Sequence, residues 1–149
     1  MKKIVSIINL KGGVAKTTTA VNFAYELAVR GEKVLVVDND KQGNLSKAFS
    51  SYDPFDVHTV AYLMTEKDAD VSKALRKTRY ENIDIIPANM NLANANMSVM
   101  MDMSRQQQTR FHKAFADCGI YEKYDYMVID SAPDINISII NALTISTDV

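Results

Sequence analysis

One segment of the sequence combines the residue types that bind polyphosphates. It reads Lys11-Gly12-Gly13-Val14-Ala15-Lys16-Thr17-Thr18 and lies between a β-branched apolar run and a helical pattern. Polyphosphate binding requires converging backbone N–H groups, a flexible turn and a helix N-terminus behind them. Gly12 and Gly13 supply the turn. Lys16 can reach the β- and γ-phosphates of a nucleotide, and the Thr17 hydroxyl can ligate Mg²⁺. Residues 11–18 are therefore predicted to form a nucleotide-binding loop.

Aspartates at the ends of two apolar runs could complete such a site. Residues 33–37 are predicted to form a buried strand that ends at Asp38, and Asp40 follows two residues later. Residues 126–129 are predicted to form another strand, which ends at Asp130. Because ligand clefts open at the carboxyl ends of parallel strands, these carboxylates are candidates for the same site. Taken alone, the first pair could instead cap a helix or form a turn, and many strands end in aspartate.

The order of the predicted elements favours a parallel sheet with helices on its faces. A strand at 3–9, a helix at 17–30 and a strand at 33–37 form a unit with short links, which favours a right-handed crossover. Further strands are predicted at 83–86 and 126–129, and further helices at 45–49, 57–64, 69–76, 91–118 and 135–145.

Composition narrows the class of protein. With 149 residues, 47% hydrophobic and 23% charged, the chain can bury the core of one compact domain. No apolar run approaches the roughly 20 residues needed to cross a bilayer, and the charged, apolar start is read as a strand rather than a signal peptide. One cysteine fits a reducing compartment, so a cytoplasmic location is expected. The net charge of −1 provides no overall attraction to nucleic acid.

The phosphate-binding segment resembles a known variant of the P-loop. The usual pattern, G-x-x-x-x-G-K-[ST], is not met, because Leu10 and Ala15 occupy its glycine positions. K-G-G-x-x-K-[ST], here Lys11 to Thr17, resembles the deviant Walker A motif of the ParA/MinD family of P-loop ATPases. The segment from Asp38 to Asn44 resembles the D-x-D-P-Q-G-N signature of the ParA/Soj branch, with Lys41 in place of proline. Residues 126–133 resemble its Walker B strand and switch segment.

The resemblance covers essentially the whole chain and implies a role for each candidate residue. It implies ATP and Mg²⁺ as cofactors, and an α/β P-loop NTPase fold, a three-layer sandwich with a mostly parallel sheet. Catalytic roles are implied for three residues: Lys16 at the phosphates, Lys11 in trans across a nucleotide-sandwich homodimer, and Asp40 orienting the attacking water. Thr17, Asp38 and Asp130 are implied at or near the metal, and residues 131–133 as a switch that senses the γ-phosphate.

The same resemblance implies a biological role. The expected protein is an ATP-dependent DNA partition ATPase of ParA type, which forms a homodimer on ATP binding and is nucleoid-associated in that state. A ParB-like centromere-binding partner would stimulate hydrolysis, and no membrane association is expected. The alternatives are a MinD-like membrane-cycling ATPase, a bacterial tyrosine kinase of similar type, or a non-hydrolysing nucleotide-gated interaction module. Relatives of the nitrogenase iron protein are disfavoured, since their shared cluster needs two cysteines per chain and this chain has only Cys118.

Residues 1–149 are expected to be the N-terminal part of a single P-loop ATPase domain. The sequence stops directly after the helix predicted at 135–145, where an alternating α/β chain should continue with a strand. In this fold class that strand would flank the P-loop strand, which would otherwise be an exposed edge. Non-specific DNA binding is expected from the C-terminal part that the family carries beyond this point.

Four further expectations concern individual residues. If Ala15 must adopt a positive φ, its Cβ costs roughly 1 kcal/mol, and nucleotide binding is expected to be tolerated but weakened. Methionines at 97, 100 and 101 are expected to pack in the core. Cys118 is expected to be a small buried residue on a helix. Lys73, Arg76 and Lys77 are expected to form one solvated helical face.

Overall fold

The computed structural model describes all residues from Met1 to Val149. Its strands are β1 (Lys3–Ile7), β2 (Val34–Asn39), β3 (Arg76–Lys77), β4 (Ile83–Ile86) and β5 (Tyr126–Ser131). Its helices are α1 (Lys16–Val29), α2 (Asn44–Ala48), α3 (Val60–Thr65), α4 (Val71–Ala74), α5 (Asn91–Met101), α6 (Arg110–Asp117), α7 (Ile120–Lys123) and α8 (Ile137–Ile145). None of these helices is long and apolar enough to cross a lipid bilayer.

The five strands form one sheet in the order β1-β5-β2-β4-β3. All pairs are parallel except β3 with β4. The central strands are apolar along their length because both of their faces are covered, as is usual in parallel sheets. The register places Asp38 of β2 directly beside Asp130 of β5, so two of the predicted site carboxylates are neighbours across the ladder.

Helices cover both faces of the sheet and make the fold a three-layer α/β sandwich, as predicted. Alternate residues of β2 and β5 enter two different cores, since side chains along a strand point to opposite faces. Val36 and Val128 pack with α1 and α2, whereas Val37 and Ile129 pack with the layer that contains α3, α5, α6 and α8. The P-loop helix α1 therefore lies on one face and the longer helical segment on the other.

The predicted helix at residues 69–76 is wrong in its second half. Helix α4 ends at Ala74, and Arg76–Lys77 instead form the edge strand β3, antiparallel to β4. Long-range ion pairs accompany this pairing: Arg76 lies 2.7 Å from Asp56, and Lys77 lies 3.0 Å from Asp84. Tertiary contacts thus override local helix propensity here. The three cations at 73, 76 and 77 do not share a helical face.

The single long helix predicted at residues 91–118 is also wrong, because it is two helices separated by a loop at 102–109. Asp102 ends α5, and its carboxylate accepts hydrogen bonds from the Ser104 amide and from Arg110. Side-chain bonds of this kind compete with continued helix.

Residues of this region also differ from prediction in their exposure. The inner face of α5 is formed by Leu92, Ala95 and Val99. The methionines at 97, 100 and 101 lie opposite and are 61%, 62% and 77% exposed, so their predicted core packing is wrong. Cys118, predicted to be buried, is also exposed, since it directly follows the C-terminus of α6.

The end of the chain returns to the outer edge of β1. After α8, Asp148 forms an isolated parallel bridge with Val5, and the Ser6 amide donates to the Asp148 carbonyl at 3.1 Å. The segment that follows α8 therefore flanks the strand that leads into the phosphate-binding loop, which is where the next strand was expected.

Candidate functional site

A large cavity opens at the carboxyl ends of β1, β5 and β2, where the phosphate-binding loop was predicted. Its volume is about 700 Å³. Three of the predicted motifs meet in its wall: residues 12–18 of the loop, residues 40–42 and 44 after β2, and residues 131–134 after β5. Because the first and last of these segments are more than 100 residues apart in the chain, the parallel sheet is what assembles them.

The loop presents the N-terminus of α1 to this cavity. Ala15 precedes the helix with φ 61° and ψ 22°, and Gly13 also has a positive φ, of 69°. Ala15 makes no side-chain capping bond, and the first backbone bond at this end runs from the Thr19 amide to the Ala15 carbonyl at 2.9 Å. The amides of the first turn therefore remain available to an anion, and the dipole of this 14-residue helix favours negative charge there.

The glycines of the loop leave room for a close-fitting ligand. A Cβ built on Gly12 or Gly13 would meet no atom within 4 Å. The two glycines are therefore not required by contacts within the chain, although Gly13 is favoured by its positive φ. Open space against the backbone is what a phosphate needs in order to reach several amides at once.

The two lysines of the loop have different positions. The Lys16 ammonium group donates to the Lys11 carbonyl at 3.3 Å, so its side chain lies back across the loop and lines the cavity. The Lys11 side chain is exposed and is not part of the cavity wall. The Lys11 amide is fixed by the side chain of Asn9 at 2.9 Å. Lys16 thus has the position of a direct phosphate ligand, whereas the exposed Lys11 side chain lies outside the cavity of its own chain.

Thr17 and Asp130 form the link between the loop and the sheet. The Thr17 hydroxyl donates to Asp130 Oδ2 at 2.6 Å, which joins the first turn of α1 to the end of β5. Asp130 is only 2% exposed, and its other oxygen, Oδ1, has no hydrogen-bond partner. Burial raises the pKa of Asp130 to about 6, and the nearby Asp40 charge acts in the same direction. A cation here would satisfy the unpaired oxygen and favour the ionised form.

Asp38 is completely buried and its carboxylate is fully bonded. Its Oδ2 accepts the Ser46 amide at 2.8 Å and the Ser46 hydroxyl at 2.6 Å, while Oδ1 accepts the Asp40 amide at 3.1 Å. Burial raises its pKa to about 7, although the bonds from Ser46 oppose the shift. The carboxylate does not line the cavity, and the geometry gives it the position of a brace for the segment that carries Asp40. Its predicted support of a hydrated metal ion stays a prediction.

Asp40 lies more than 20 residues after Lys16 and Thr17 in the sequence, but it lines the same cavity. Its Oδ1 accepts the Gln42 amide at 2.9 Å, which fixes the turn after β2 and leaves Oδ2 free of any bond within the chain. A carboxylate with one free oxygen at the mouth of a phosphate site can accept a hydrogen bond from water.

The residues present fit a magnesium nucleotide better than a protein-only metal cage. No group of three histidine, cysteine or acidic residues is close enough to hold a metal ion. Mg²⁺ keeps several waters and is usually held by one or two protein oxygens together with substrate phosphates. Thr17 and Asp130 supply two such oxygens, and Asp130 Oδ1 is the unpaired buried atom that such an ion would satisfy.

Sequence reasoning missed two polar residues next to the site, Ser46 and Asn39. Ser46 holds Asp38, and its hydroxyl also accepts the Ala88 amide at 2.9 Å. Asn39 and Ser131 are buried neighbours in the β2–β5 register, and none of their side-chain polar atoms has a partner. Ser131 lines the cavity, whereas Asn39 does not. No signal in the sequence marked Ser46.

Together, the fold and the cavity define a P-loop nucleotide-binding protein. The model of the AAA domain family matches residues 2–149, and the chain belongs to that family. Within it, the relatives described next fit the ParA/Soj branch, which the Gln42-Gly43-Asn44 tail after Asp40 indicated.

Three comparisons describe the similarity. The sporulation initiation inhibitor protein Soj of Bacillus subtilis (strain 168) is 40% identical over 149 residues, which are all of this chain and 57% of Soj. The chromosome partitioning protein ParA of Caulobacter vibrioides (strain NA1000 / CB15N) is 33% identical over 142 residues, covering 95% of this chain and 52% of ParA. The crystal structure of cobyrinic acid a,c-diamide synthase from Mycobacterium smegmatis with bound ATP analog and magnesium has a TM-score of 0.86 and 31% identity, covering 98% of this chain and 57% of that one. The chain thus spans little more than half the length of these proteins.

Proposed function

We propose that this chain carries the ATP site of a DNA partition ATPase of ParA type, which hydrolyses ATP with Mg²⁺. The observation that carries the proposal is the 2.6 Å bond between Thr17 and Asp130 at the wall of the 700 Å³ cavity. It brings a hydroxyl and a carboxylate of the metal-binding type against a loop of free amides. The 40% identity to Soj supports the partition branch, as does the Gln42-Gly43-Asn44 tail after Asp40, over a MinD-like protein.

The loop binds the triphosphate in this proposal. Amides of residues 12–18 and the N-terminus of α1 hold the β- and γ-phosphate oxygens, and Lys16 adds a positive charge beside them. Thr17 and Asp130 would hold Mg²⁺. When bound, the metal ion neutralises the negative charge that develops on the phosphate oxygens during phosphoryl transfer.

Asp40 and Lys11 act on the reaction itself. Asp40 accepts a hydrogen bond from the attacking water and aligns it with the γ-phosphorus. The water oxygen bonds to that phosphorus as the bond to the β–γ bridging oxygen breaks, and a proton of the water passes to a phosphate oxygen or to solvent, which yields ADP and inorganic phosphate. Asp38, held by Ser46, keeps the Asp40 segment in place. Lys11, which is exposed and outside its own cavity, supplies its charge to the site of a second copy in a sandwich dimer.

The cellular parts of the proposal come from the family. ATP binding drives formation of the homodimer, which associates with DNA on the nucleoid of the cytoplasm. A ParB-like partner then stimulates hydrolysis and release. A non-hydrolysing nucleotide-gated module is the main competing function, and it shares the binding site but not the roles of Asp40 and Lys11.

Four substitutions test the proposal by separating binding, hydrolysis and dimerisation. Binding is measured with a fluorescent ATP analogue, hydrolysis by phosphate release with and without DNA and the partner, and dimerisation by light scattering. Lys16→Ala is expected to weaken nucleotide binding by more than about 100-fold, since it removes a charge-assisted contact and the loop's own support. Asp40→Ala and Lys11→Ala are expected to bind ATP normally. Asp40→Ala is expected to lose hydrolysis, and Lys11→Ala is expected to lose dimerisation or hydrolysis.

Thr17→Ala tests the metal site within the same series. It is expected to bind nucleotide in the presence of a chelator as the parent does, but to lose the gain in affinity that Mg²⁺ provides. Lys67→Ala, an exposed lysine with no ion pair, serves as the control for removal of one charge. A parent protein that takes up no magnesium nucleotide at millimolar concentration would refute the proposal. Normal binding with no hydrolysis under any condition would favour the non-hydrolysing module.

A further inference from the structure

A second polar cavity lies at the opposite end of the sheet from the nucleotide site. It has a volume of about 550 Å³ and opens at the amino ends of β2, β4 and β5. We call it the basic cleft. It is lined by Lys33, Lys77, Thr78, Arg79, Tyr80, Glu81, Asn82, Asp84, Lys123 and Tyr124.

The basic cleft collects cations that are scattered in the sequence. Lys33 precedes β2, Lys77 and Arg79 lie in and after β3, and Lys123 ends α7. Only the last part of the basic run at 73–79 enters the cleft, joined by two lysines from distant segments. The overall net charge of the chain is −1, so this concentration of positive charge is local and a product of the fold.

Most of this positive charge is not neutralised within the chain. Lys77 pairs with Asp84 at 3.0 Å, and Asp84 also accepts the hydroxyl of Tyr124 at 2.6 Å. Lys33, Arg79 and Lys123 form no ion pair. The only other carboxylate in the lining belongs to Glu81. Asp125, next to the cleft, accepts the Lys33 amide at 2.9 Å, so the lining holds three unpaired cations with one anion in it and one beside it.

Aromatic rings hold two of the unpaired cations without cancelling their charge. The Arg79 guanidinium lies 4.9 Å from the centre of the Tyr80 ring and donates to its hydroxyl at 2.8 Å. The Lys123 ammonium lies 5.4 Å from the centre of the Tyr124 ring. Tyr80 is itself fixed by edge-to-face contacts with Tyr25 and Phe49. Cation–π contacts restrict long side chains while leaving their donors open to an anion.

We propose that the basic cleft is a second phosphate-binding site, which takes a chain of linked phosphate groups. Three unpaired cations around a 550 Å³ cleft match several neighbouring phosphates better than a single small anion. Two sources share this chemistry, the backbone of duplex DNA and free polyphosphate. The DNA source rests on the proposed partition function, whereas the cleft itself uses no residue of the nucleotide site. If the source is DNA, part of the DNA contact lies within residues 1–149 rather than wholly beyond them.

Two triple variants with the same change in net charge test the proposal. The cleft variant is Lys33→Gln/Arg79→Gln/Lys123→Gln. The matched control is Arg30→Gln/Lys67→Gln/Lys73→Gln, three exposed residues that also form no ion pair and do not line the cleft. Binding of a short fluorescein-labelled duplex is measured by anisotropy over a range of salt concentrations. Binding of tripolyphosphate is measured by calorimetry, with saturating magnesium ADP to occupy the nucleotide site.

The cleft variant is expected to bind the duplex at least about 10-fold more weakly than the parent. The negative slope of log affinity against log salt should decrease in magnitude by about 2.7 in the cleft variant, since each of the three lost phosphate contacts contributes about 0.9. The control is expected to stay within about twofold of the parent. Glu81→Gln is expected to strengthen binding, because it removes the one unpaired anion of the lining. Tripolyphosphate binding without duplex binding would identify free polyphosphate as the source.

Equal weakening in the two triple variants would overturn the proposal, since it would show only the effect of net charge. Binding of neither ligand by the parent would also overturn it. ATP binding and hydrolysis measured without DNA are expected to be unchanged in the cleft variant, because the two sites lie at opposite ends of the sheet. A cleft variant that loses duplex binding but hydrolyses ATP normally therefore supports the proposed cleft. A parent protein that hydrolyses no ATP would instead refute the proposed function.

Discussion

Ala15→Gly tests whether the phosphate-binding loop of this chain is strained. Ala15 has φ 61° and ψ 22°, in the left-handed region where a Cβ crowds the neighbouring carbonyl. That conformation costs a non-glycine residue roughly 1–2 kcal/mol. Glycine relieves the strain but has more conformational freedom in the unfolded chain, which returns about 0.4–1 kcal/mol. The net gain in the free energy of unfolding is therefore expected to be about 0.5–1 kcal/mol.

Thermal unfolding measures this gain directly. For a chain of this size, about 1 kcal/mol corresponds to a rise in Tm of roughly 2–4 °C. Strain that arises only when phosphates are bound would not change the stability of the free protein. Its relief in Ala15→Gly would instead tighten nucleotide binding, by up to about fivefold for 1 kcal/mol. Calorimetric titration with magnesium ATP gives that second quantity. The two gains together should not exceed the strain itself.

Ala116→Gly is the matched control for this substitution. Ala116 is exposed and lies within α6, where the backbone is right-handed, so glycine there is expected to lower stability by about 0.5–1 kcal/mol. The two substitutions remove the same methyl group and should have opposite signs. A lower Tm in Ala15→Gly, similar to that of Ala116→Gly, would refute the strain at Ala15. Unchanged nucleotide affinity would show that the loop strain does not weaken binding.

Two further predictions concern other constrained positions. Gly43→Ala is expected to lower the free energy of unfolding by about 3 kcal/mol, because φ is +64° and a Cβ would lie 2.5 Å from the Tyr52 ring. Unfolding in denaturant measures this loss, and a midpoint equal to the parent's would contradict the prediction. Asp102→Asn is expected to lower Tm at neutral pH, because hydrogen bonds from Ser104 and Arg110 hold the pKa of Asp102 well below its ordinary value of 3.8. A depressed acid pKa stabilises the fold above 3.8 and loses that effect as pH falls through the folded-state value, so the difference in Tm should shrink in acid; a difference independent of pH would argue against the ion pair.

The nucleotide site was predictable because its signals are local. Apolar β-branched runs identify strands that are buried on both faces, and the residues at their carboxyl ends lie at one edge of the sheet whatever the rest of the chain does. Thr17 and Asp130 do lie within hydrogen-bond distance, as the order of their motifs suggested, and the roles of Lys16, Thr17 and Asp130 in binding stay predictions. The sequence raised a positive φ at Ala15 only as a condition, and the structure meets that condition with φ 61°.

The middle of the chain was not predictable in the same way, since its structure depends on distant partners. Residues 76 and 77 leave the helical pattern to pair with β4, accompanied by the ion pairs of Arg76 with Asp56 and of Lys77 with Asp84. The loop after α5 is held by a cluster around Asp102. Three-residue spacing showed that the methionines share a face of α5, but not which face is covered. Spacing fixes the period of a helix and leaves its orientation to the tertiary structure.

The basic cleft shows the same limit for function. No window of the sequence contains its four cations. The basic residues at positions 73–79 were interpreted as a solvated face because runs of charge usually are, and nothing in the sequence linked them to residues 33 and 123. The lack of hydrogen-bond partners at the buried side chains of Asn39 and Ser131 was likewise visible only after β2 and β5 were placed side by side.

Hydrogen exchange at the outer edge of β1 would report on any segment that pairs with this strand. The Ile4 and Ser6 amides point outward, to the Thr147 hydroxyl and the Asp148 carbonyl, whereas the Val5 and Ile7 amides face β5. Deuterium uptake should therefore alternate along these residues, with the outward amides exchanging first. Because β1 continues directly into the phosphate-binding loop, any polypeptide that slows exchange at that edge acts only a few residues from the nucleotide. The rates at these amides would reveal such docking without a label or a substitution.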